Sequence, residues 1–262
     1  MTPELRPAAS LDPAPLAALF TAAYAGYVIP IEITEAQLRF MVDTFDIRLA
    51  DSRVASIEGE DVGLANLAVR GEDAWIGGVG VLPSHRRSGI AEALMHALQD
   101  VARGLGVHRI WLEVIEQNDG AFRLYEKLGY EITRWVDVWS LPKDEGAERT
   151  AREVAVGFAR ARIRDLRTAQ EPWQRADATL DHLEQLRGLE TDGGTAVFSV
   201  TGENVAVWQI AGDTPDELLE TLRAQGAVNA LNVPENDPAS AAFRRLGARL
   251  VVRQREMVLD LA

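Results

Sequence analysis

The stretch from Val79 to Ala91 constrains this chain more than any other. Val79-Gly80-Val81-Leu82 reads as the end of a strand, Pro83 to Gly89 as a turn, and Ile90-Ala91 as a helix start. Apolar residues then recur at Ile90, Leu94, Ala97, Leu98, Val101 and Leu105, a helical stripe that Gly106 stops. Such a junction lines up backbone N–H groups at a helix N-terminus, where the helix dipole favours an anion. Gly89 lets the backbone approach a ligand closely, and Arg86 and Arg87 add full charges. A plain turn with two solvated arginines has the same pattern, so the surroundings must decide.

Upstream, Arg53–Glu58, Val62–Arg70 and Ala74–Leu82 read as three strands. Gly59-Glu60-Asp61 and Gly71-Glu72-Asp73 between them supply hairpin turns, which makes an antiparallel meander. Before them, Pro13–Tyr24 reads as a buried helix with Asp12 as N-cap, Ala25–Ile31 as a loop, and Glu35–Phe45 as a second helix. Pro13 to Ile31 carry no charge, but Pro13, Pro15, Gly26 and Pro30 and the lack of a basic flank argue against a membrane span or leader. A cytoplasmic protein is expected. Downstream, His108–Val114 reads as a strand, Asp119–Leu128 as a helix, and Tyr130–Leu141 as two short strands or one bent one. The expected fold class is α/β (α+β): a mixed, mostly antiparallel sheet flanked by helices.

A second motif follows the first. Asn118 to Tyr130 has the pattern N-x-x-A-x-x-L-Y-x-x-x-G-Y. Ala121, Leu124 and Leu128 share one helix face, and Asn118 suits the N-cap. Tyr125 lies one position beyond that stripe, as a cleft-edge or a core aromatic. Together the motifs resemble the GNAT superfamily of acetyl-CoA-dependent N-acetyltransferases. Arg86-Arg87-Ser88-Gly89-Ile90-Ala91 matches its R-x-x-G-x-A pyrophosphate loop, and Asn118–Tyr130 its later helix motif. Trp111-Leu112-Glu113-Val114 with Tyr125 is similar to the ribosomal-protein-alanine N-acetyltransferases.

The resemblance implies acetyl-CoA as cosubstrate, with no metal. It would be held by Val79, Gly80, Val81, Arg86, Arg87, Ser88, Gly89, Ile90, Ala91, Asn118 and Tyr125. It implies Tyr125 as proton donor to the departing sulfur, and the Val79–Val81 backbone as donor to the thioester oxygen. Glu113 is the candidate base and Glu116 the runner-up; a surface Glu113 in salt contact is the competing reading. Tyr24, Tyr27, Ile29 and Trp75 are candidate acceptor-lining residues, with aromatic core packing an open alternative for Tyr24. Trp75-Ile76-Gly77-Gly78 lacks the acid many relatives carry there, and its glycines would leave room for the acceptor or the acyl arm.

Lys plus Arg total 27 and Asp plus Glu 40, a net charge of −13, which argues against a nucleic-acid surface. The acidity suits a cationic amine acceptor or simply serves solubility. The absence of cysteine excludes thiolate nucleophiles and disulfides.

Pro142 to Arg149 is charged and turn-rich, which suggests a boundary. The expected domains are 1–141, catalytic; 142–151, a linker; and 152–262, a degenerate GNAT-like copy. Shifted by 118, Asn118, Asp119, Ala121, Leu128, Gly129 and Leu141 meet Asn236, Asp237, Ala239, Leu246, Gly247 and Leu259, and Tyr125 meets Phe243. After Ile210 the copy has no arginine turn, only Asp213, Asp216 and Glu217, which would repel a pyrophosphate. The expected function is transfer of acetyl from acetyl-CoA to a primary amine of a small molecule or peptide. A non-catalytic acyl-CoA-binding module and a mycothiol-synthase-like tandem enzyme are the alternatives. The acceptor's identity and a homodimer are left open.

Overall fold

The structure is a computed structural model that describes residues 2–261. The chain divides into two compact units. One runs to Thr133 and resumes at Glu256, and the other is Arg134–Arg255.

In the first unit, β1 (Glu4–Pro7) is followed by α1 (Pro13–Ala23) and α2 (Glu35–Thr44). Pro13 opens α1, and Thr34 and Gln37 form a capping box at α2. The meander follows as β2 (Arg53–Ile57), β3 (Glu60–Arg70) and β4 (Asp73–Val81). The β2–β3 turn places Glu58 at φ 51° and Gly59 at φ 85°, as a twisted two-residue hairpin requires. Then come α3 (Ile90–Gly104), β5 (Arg109–Ile115) and α4 (Asp119–Lys127). Neighbours β1 to β4 pair antiparallel, and β4 pairs parallel with β5. The last strand beside β5 is Glu256–Asp260, from the far end of the chain. Met257 there is fully buried, and the Leu261 N–H bonds the His108 carbonyl at 2.8 Å.

Two apolar cores cover the two faces of this sheet. Ile90, Leu94 and Leu98 of α3 pack with Leu67, Ile76, Leu112 and Val114 on one face. Leu16, Phe20 and Ala23 of α1 pack with Leu38, Val54 and Leu64 on the other. No described helix is long and apolar enough to cross a membrane.

Two local irregularities in β4 shape the site. Its parallel pairing with β5 covers only Asp73↔Arg109, Ala74↔Ile110 and Trp75↔Trp111. Beyond Trp75 the two strands are unpaired with each other, and a gap opens. In the same place, Leu67 pairs Ile76 but Ala65 pairs Val79, so Gly77 and Gly78 together oppose Asn66 in a β-bulge. Gly78 sits at φ 143°, a conformation that favours glycine.

The second unit begins within β6 (Glu131–Leu141), one continuous strand. It continues with β7 (Arg152–Val154), α5 (Val156–Leu166), α6 (Asp177–Asp181), β8 (Arg187–Glu190), β9 (Gly194–Thr201) and β10 (Asn204–Gly212). The final elements are α7 (Pro215–Arg223), β11 (Ala227–Pro234), α8 (Pro238–Arg245) and β12 (Arg249–Asp260). Pairing runs β6-β11-β10-β9-β8-β7, parallel only between β10 and β11. The compact units therefore divide inside β6 and β12, whereas residues 142–151 lie within the second unit. The physical reason is that Trp139 and Leu141 are buried in the core of Phe198, Phe243 and Leu218.

Candidate active site

The first unit holds a cavity of about 440 Å³ on the α3/α4 side of the sheet. Val79 and Val81 line it from β4, Arg86, Arg87 and Gly89 from the turn, and Ile90 and Ala91 from α3. Asn118 and Tyr125 line it from α4. Nine of the expected ligand-holding residues thus converge on one space. Ser88 and Gly80 are not among its walls: the Ser88 hydroxyl bonds the His85 carbonyl at 2.5 Å, and Gly80 faces α1. His85, Glu92, Gly120, Ala121 and Leu124 complete the lining. Ala121 and Leu124 carried a sequence signal as part of the apolar stripe of α4. Glu92 carried none, because a carboxylate beside an anion-binding turn is unfavourable by itself. Here Lys127 donates to it at 2.7 Å and holds its carboxyl below the usual carboxylate range.

The turn presents its backbone to the cavity. Gly89 is the N-cap of α3 at φ 85°, and no side chain caps this end. The first N–H groups of a helix have no partner within it, so here they face the cavity together with the positive end of the helix dipole. Arg86 is tied elsewhere: its guanidinium donates to the carbonyls of Val81 (3.1 Å), Ala23 (3.0 Å) and Ala25 (2.6 Å). Those of Ala23 and Ala25 lie at the C-terminal end of α1, where a cation is favoured. Arg87, exposed and at φ 62°, is the turn's other guanidinium.

Tyrosines gather around Asn118. Asn118 caps α4 by accepting from the Ala121 N–H at 3.2 Å, and its amide reaches the Tyr27 hydroxyl at 3.4 Å. Tyr24 stacks on Phe20 (4.7 Å between centroids) and meets Tyr27 edge-on (5.2 Å). Burial pushes the Tyr125 hydroxyl well above its ordinary range, with smaller contributions from Tyr27 and Tyr130. Burial does the same to Tyr24, which also feels Tyr125 and Tyr27, while the Val79 backbone N–H acts in the opposite sense. Tyr27 is raised by burial too, against the Asn118 amide.

The other expected residues lie on the α1/α2 face. Leu112 and Val114 enter the α3-side core, so Glu113 between them points to the opposite face. There the Trp75 indole N–H donates to its carboxylate at 2.8 Å. Trp75 is itself buried, edge-on to Phe45 (5.8 Å). Ile29 is half-buried in the loop after α1. Neither Glu113, Trp75 nor Ile29 lines the cavity. The space over the β4 glycines is filled: a Cβ on Gly78 would lie 2.9 Å from the Tyr24 hydroxyl, and one on Gly80 2.8 Å from Ala23 Cβ. These glycines admit α1 rather than leaving open room.

The second unit repeats the splay without the turn. β10 and β11 pair only as far as Val207↔Ala230, and α7 starts at Pro215 directly after Asp213-Thr214. Asp216 and Glu217 occupy the first turn of α7. Phe243, at the place corresponding to Tyr125, is fully buried and stacked on Trp139. Just past the paired residues, the Gln209 amide donates to the Arg175 carbonyl at 2.7 Å, and Arg175 Nη1 reaches the Leu231 carbonyl at 3.4 Å. Arg175 is buried and paired with the buried Glu171 at 2.8 Å, so this segment bridges the diverging strand ends.

Residues 23–130 match the acetyltransferase (GNAT) family. A streptothricin acetyltransferase of Streptomyces lavendulae is 37% identical over 86 residues, 31% of this chain and 46% of that protein. An uncharacterized N-acetyltransferase of Mycobacterium tuberculosis is 38% identical over 77 residues, 29% of this chain and 49% of that protein. The chain thus spans about half the length of the curated relatives it matches. Among solved structures, a GCN5-related N-acetyltransferase from Sphaerobacter thermophilus superposes with a TM-score of 0.74 at 17% identity, covering 99% of this chain and 96% of that one. A tandem GNAT protein from the clavulanic acid biosynthesis pathway gives 0.68 at 17% identity, covering 100% and 99%. At such identity the likeness is one of fold, and it extends over both units. The family match thus covers residues 23–130, all within the first unit, and what the whole chain shares with the solved structures is the fold.

Proposed function

We propose that the first unit is an acetyl-CoA-dependent N-acetyltransferase and that the second holds no acetyl-CoA. The observation that carries this reading is the uncapped N-terminus of α3 opening onto a cavity that Tyr125 also lines. A pyrophosphate suits the first feature, since backbone N–H groups and the dipole converge there. A thioester sulfur suits the second, because a buried tyrosine hydroxyl that keeps its proton can hydrogen-bond a departing thiolate.

In this reading the acyl group reaches the β4/β5 gap and the amine approaches from the α1/α2 face. An alkyl ammonium has a pKa near ~10.4, so it must lose a proton before attack. Glu113, on that face and oriented by Trp75, takes it. The amine nitrogen bonds the carbonyl carbon, the carbon–sulfur bond breaks as the Tyr125 proton passes to sulfur, and the second proton that nitrogen must shed to become an amide restores the Tyr125 hydroxyl, while Glu113 releases the first to solvent. A backbone N–H of the Val79–Val81 stretch stabilises the oxyanion. The streptothricin-acetylating relative favours a small-molecule amine as the acceptor. The acidic first turn of α7 and the Arg175–Glu171 segment support the negative reading of the second unit.

Calorimetric titration with acetyl-CoA tests the assignment by its stoichiometry, and thiol release over a panel of primary amines tests turnover. One site per chain with amine-dependent thiol release is the expected result. Two sites per chain would overturn the reading of the second unit. No binding would overturn that of the first, and binding without turnover on any amine would make it an acyl-CoA-binding module.

A further inference from the structure

On the α1 side of β4, beside its gap to β5, the Tyr24 ring lies against the strand together with Phe20 and Ala23. The cavity lies on the α3/α4 face and has Val79 and Tyr125 among its walls. A thioester whose sulfur lies beside Tyr125 must direct its acyl group through the gap toward α1. There the Tyr24 ring lies along β4. Its hydroxyl is 2.9 Å from the position a Cβ on Gly78 would take, and its Cε2 and Cδ2 are 3.1 and 3.3 Å from that of Gly80. The ring is fixed on both sides, stacked on Phe20 and edge-on to Tyr27. Arg86 holds the carbonyls of Ala23 and Ala25 on either side of it. A side chain locked in this way cannot yield to a longer acyl tail without displacing its neighbours, which a close-packed interior resists.

We infer that Tyr24 sets acyl-donor length, narrowing the α1 side of the gap so that it admits a short acyl group and rejects longer chains. This rests on the proposed acyl-CoA reading of the same cavity and adds its donor specificity. The bulge is part of the device: only glycines at 78 and 80 let the aromatic ring approach the strand so closely.

The test is calorimetric binding of CoA, acetyl-CoA, butyryl-CoA and hexanoyl-CoA to the intact chain, which needs no knowledge of the acceptor. The wild type should bind acetyl-CoA at least tenfold more tightly than hexanoyl-CoA. Tyr24→Ala should reduce that ratio tenfold or more by gaining affinity for the longer donors, with binding of CoA itself little changed. Tyr24→Phe, which keeps the ring, should retain the wild-type ratio and guards against a general loss of structure. A Tyr24→Ala variant that binds CoA normally yet keeps the wild-type ratio would overturn the inference, as would a wild type indifferent to chain length. Failure of the wild type to bind CoA or any of these donors would instead sink the underlying acyl-CoA reading.

Discussion

All four tyrosines of the chain lie in the first unit, and burial raises every one of them above the ordinary tyrosine range. For Tyr125 the shift favours the protonated hydroxyl throughout the neutral range, as the proposed role of proton donor requires. The pH–rate profile should therefore show no alkaline limb from Tyr125 below ~10, the usual tyrosine value. Tyr125→Phe should lower kcat by about 10²-fold or more and leave the profile's shape unchanged. An alkaline limb with a midpoint near ~8 that disappears in Tyr125→Phe would refute this. The same shifts bear on stability. A group whose folded pKa is raised contributes stability that is complete below its unfolded pKa and is lost as pH rises through the folded value. Unfolding free energy, followed by denaturant titration, should hold steady with respect to tyrosine ionisation below ~10 and fall above it. The four-tyrosine cluster itself was only partly legible. Tyr24, Tyr27 and Tyr125 stand out in the sequence as candidates, but nothing in their spacing shows that they meet.

Elements bound by local chemistry were the readable ones. The meander, α3 and α4 fall within a residue or two of their sequence-read limits, since hairpin turns, a helical stripe and an Asn cap act over a few residues. The short edge strand β1 and the elements β7, α5 and β8 were not read, because their pairing partners lie far away in sequence or their patterns are too short. The role of Arg86 belongs to this scale as well. A motif shows a cation in a turn, and only the fold shows that its three carbonyl partners join the end of β4 to the end of α1. Hydrogen bonds from a charged group are worth about 1.5–3 kcal/mol when broken in a protein interior and less where water competes. Arg86→Ala should therefore cost about 1–3 kcal/mol of unfolding free energy. Arg87→Ala, at an exposed position, should change stability by no more than about 0.5 kcal/mol. It should weaken acetyl-CoA binding about fivefold, the equivalent of roughly 1 kcal/mol. Urea denaturation and calorimetry on both variants check this, and equal stability losses in the two would contradict the division of roles.

At the scale of the whole molecule, the charged segment 142–149 looks like a natural cutting point, yet the compact units divide inside β6 and β12. The sequence marks Tyr130–Leu141 as strand but carries no information about which neighbours it joins, and Arg249–Asp260 was not read as a strand at all. The consequence is physical. A fragment ending at Leu141 would lack Glu256–Asp260, which lies beside β5, and would lose Met257 from the core of α3 and β5. It would leave β5, with Ile110, Leu112 and Val114, as an open apolar edge that invites association. It would also carry Trp139 and Leu141 without the core that buries them. Removing one fully buried large side chain alone costs about 2–5 kcal/mol, a substantial part of the 5–15 kcal/mol that holds a typical domain together. The fragment should accordingly fail to unfold cooperatively in urea, unlike the intact chain, and should form larger assemblies than the intact chain on size-exclusion chromatography. Cooperative unfolding of a monomeric fragment that binds acetyl-CoA like the intact chain would show that the C-terminal strand is dispensable and that the division at 142–151 is the functional one.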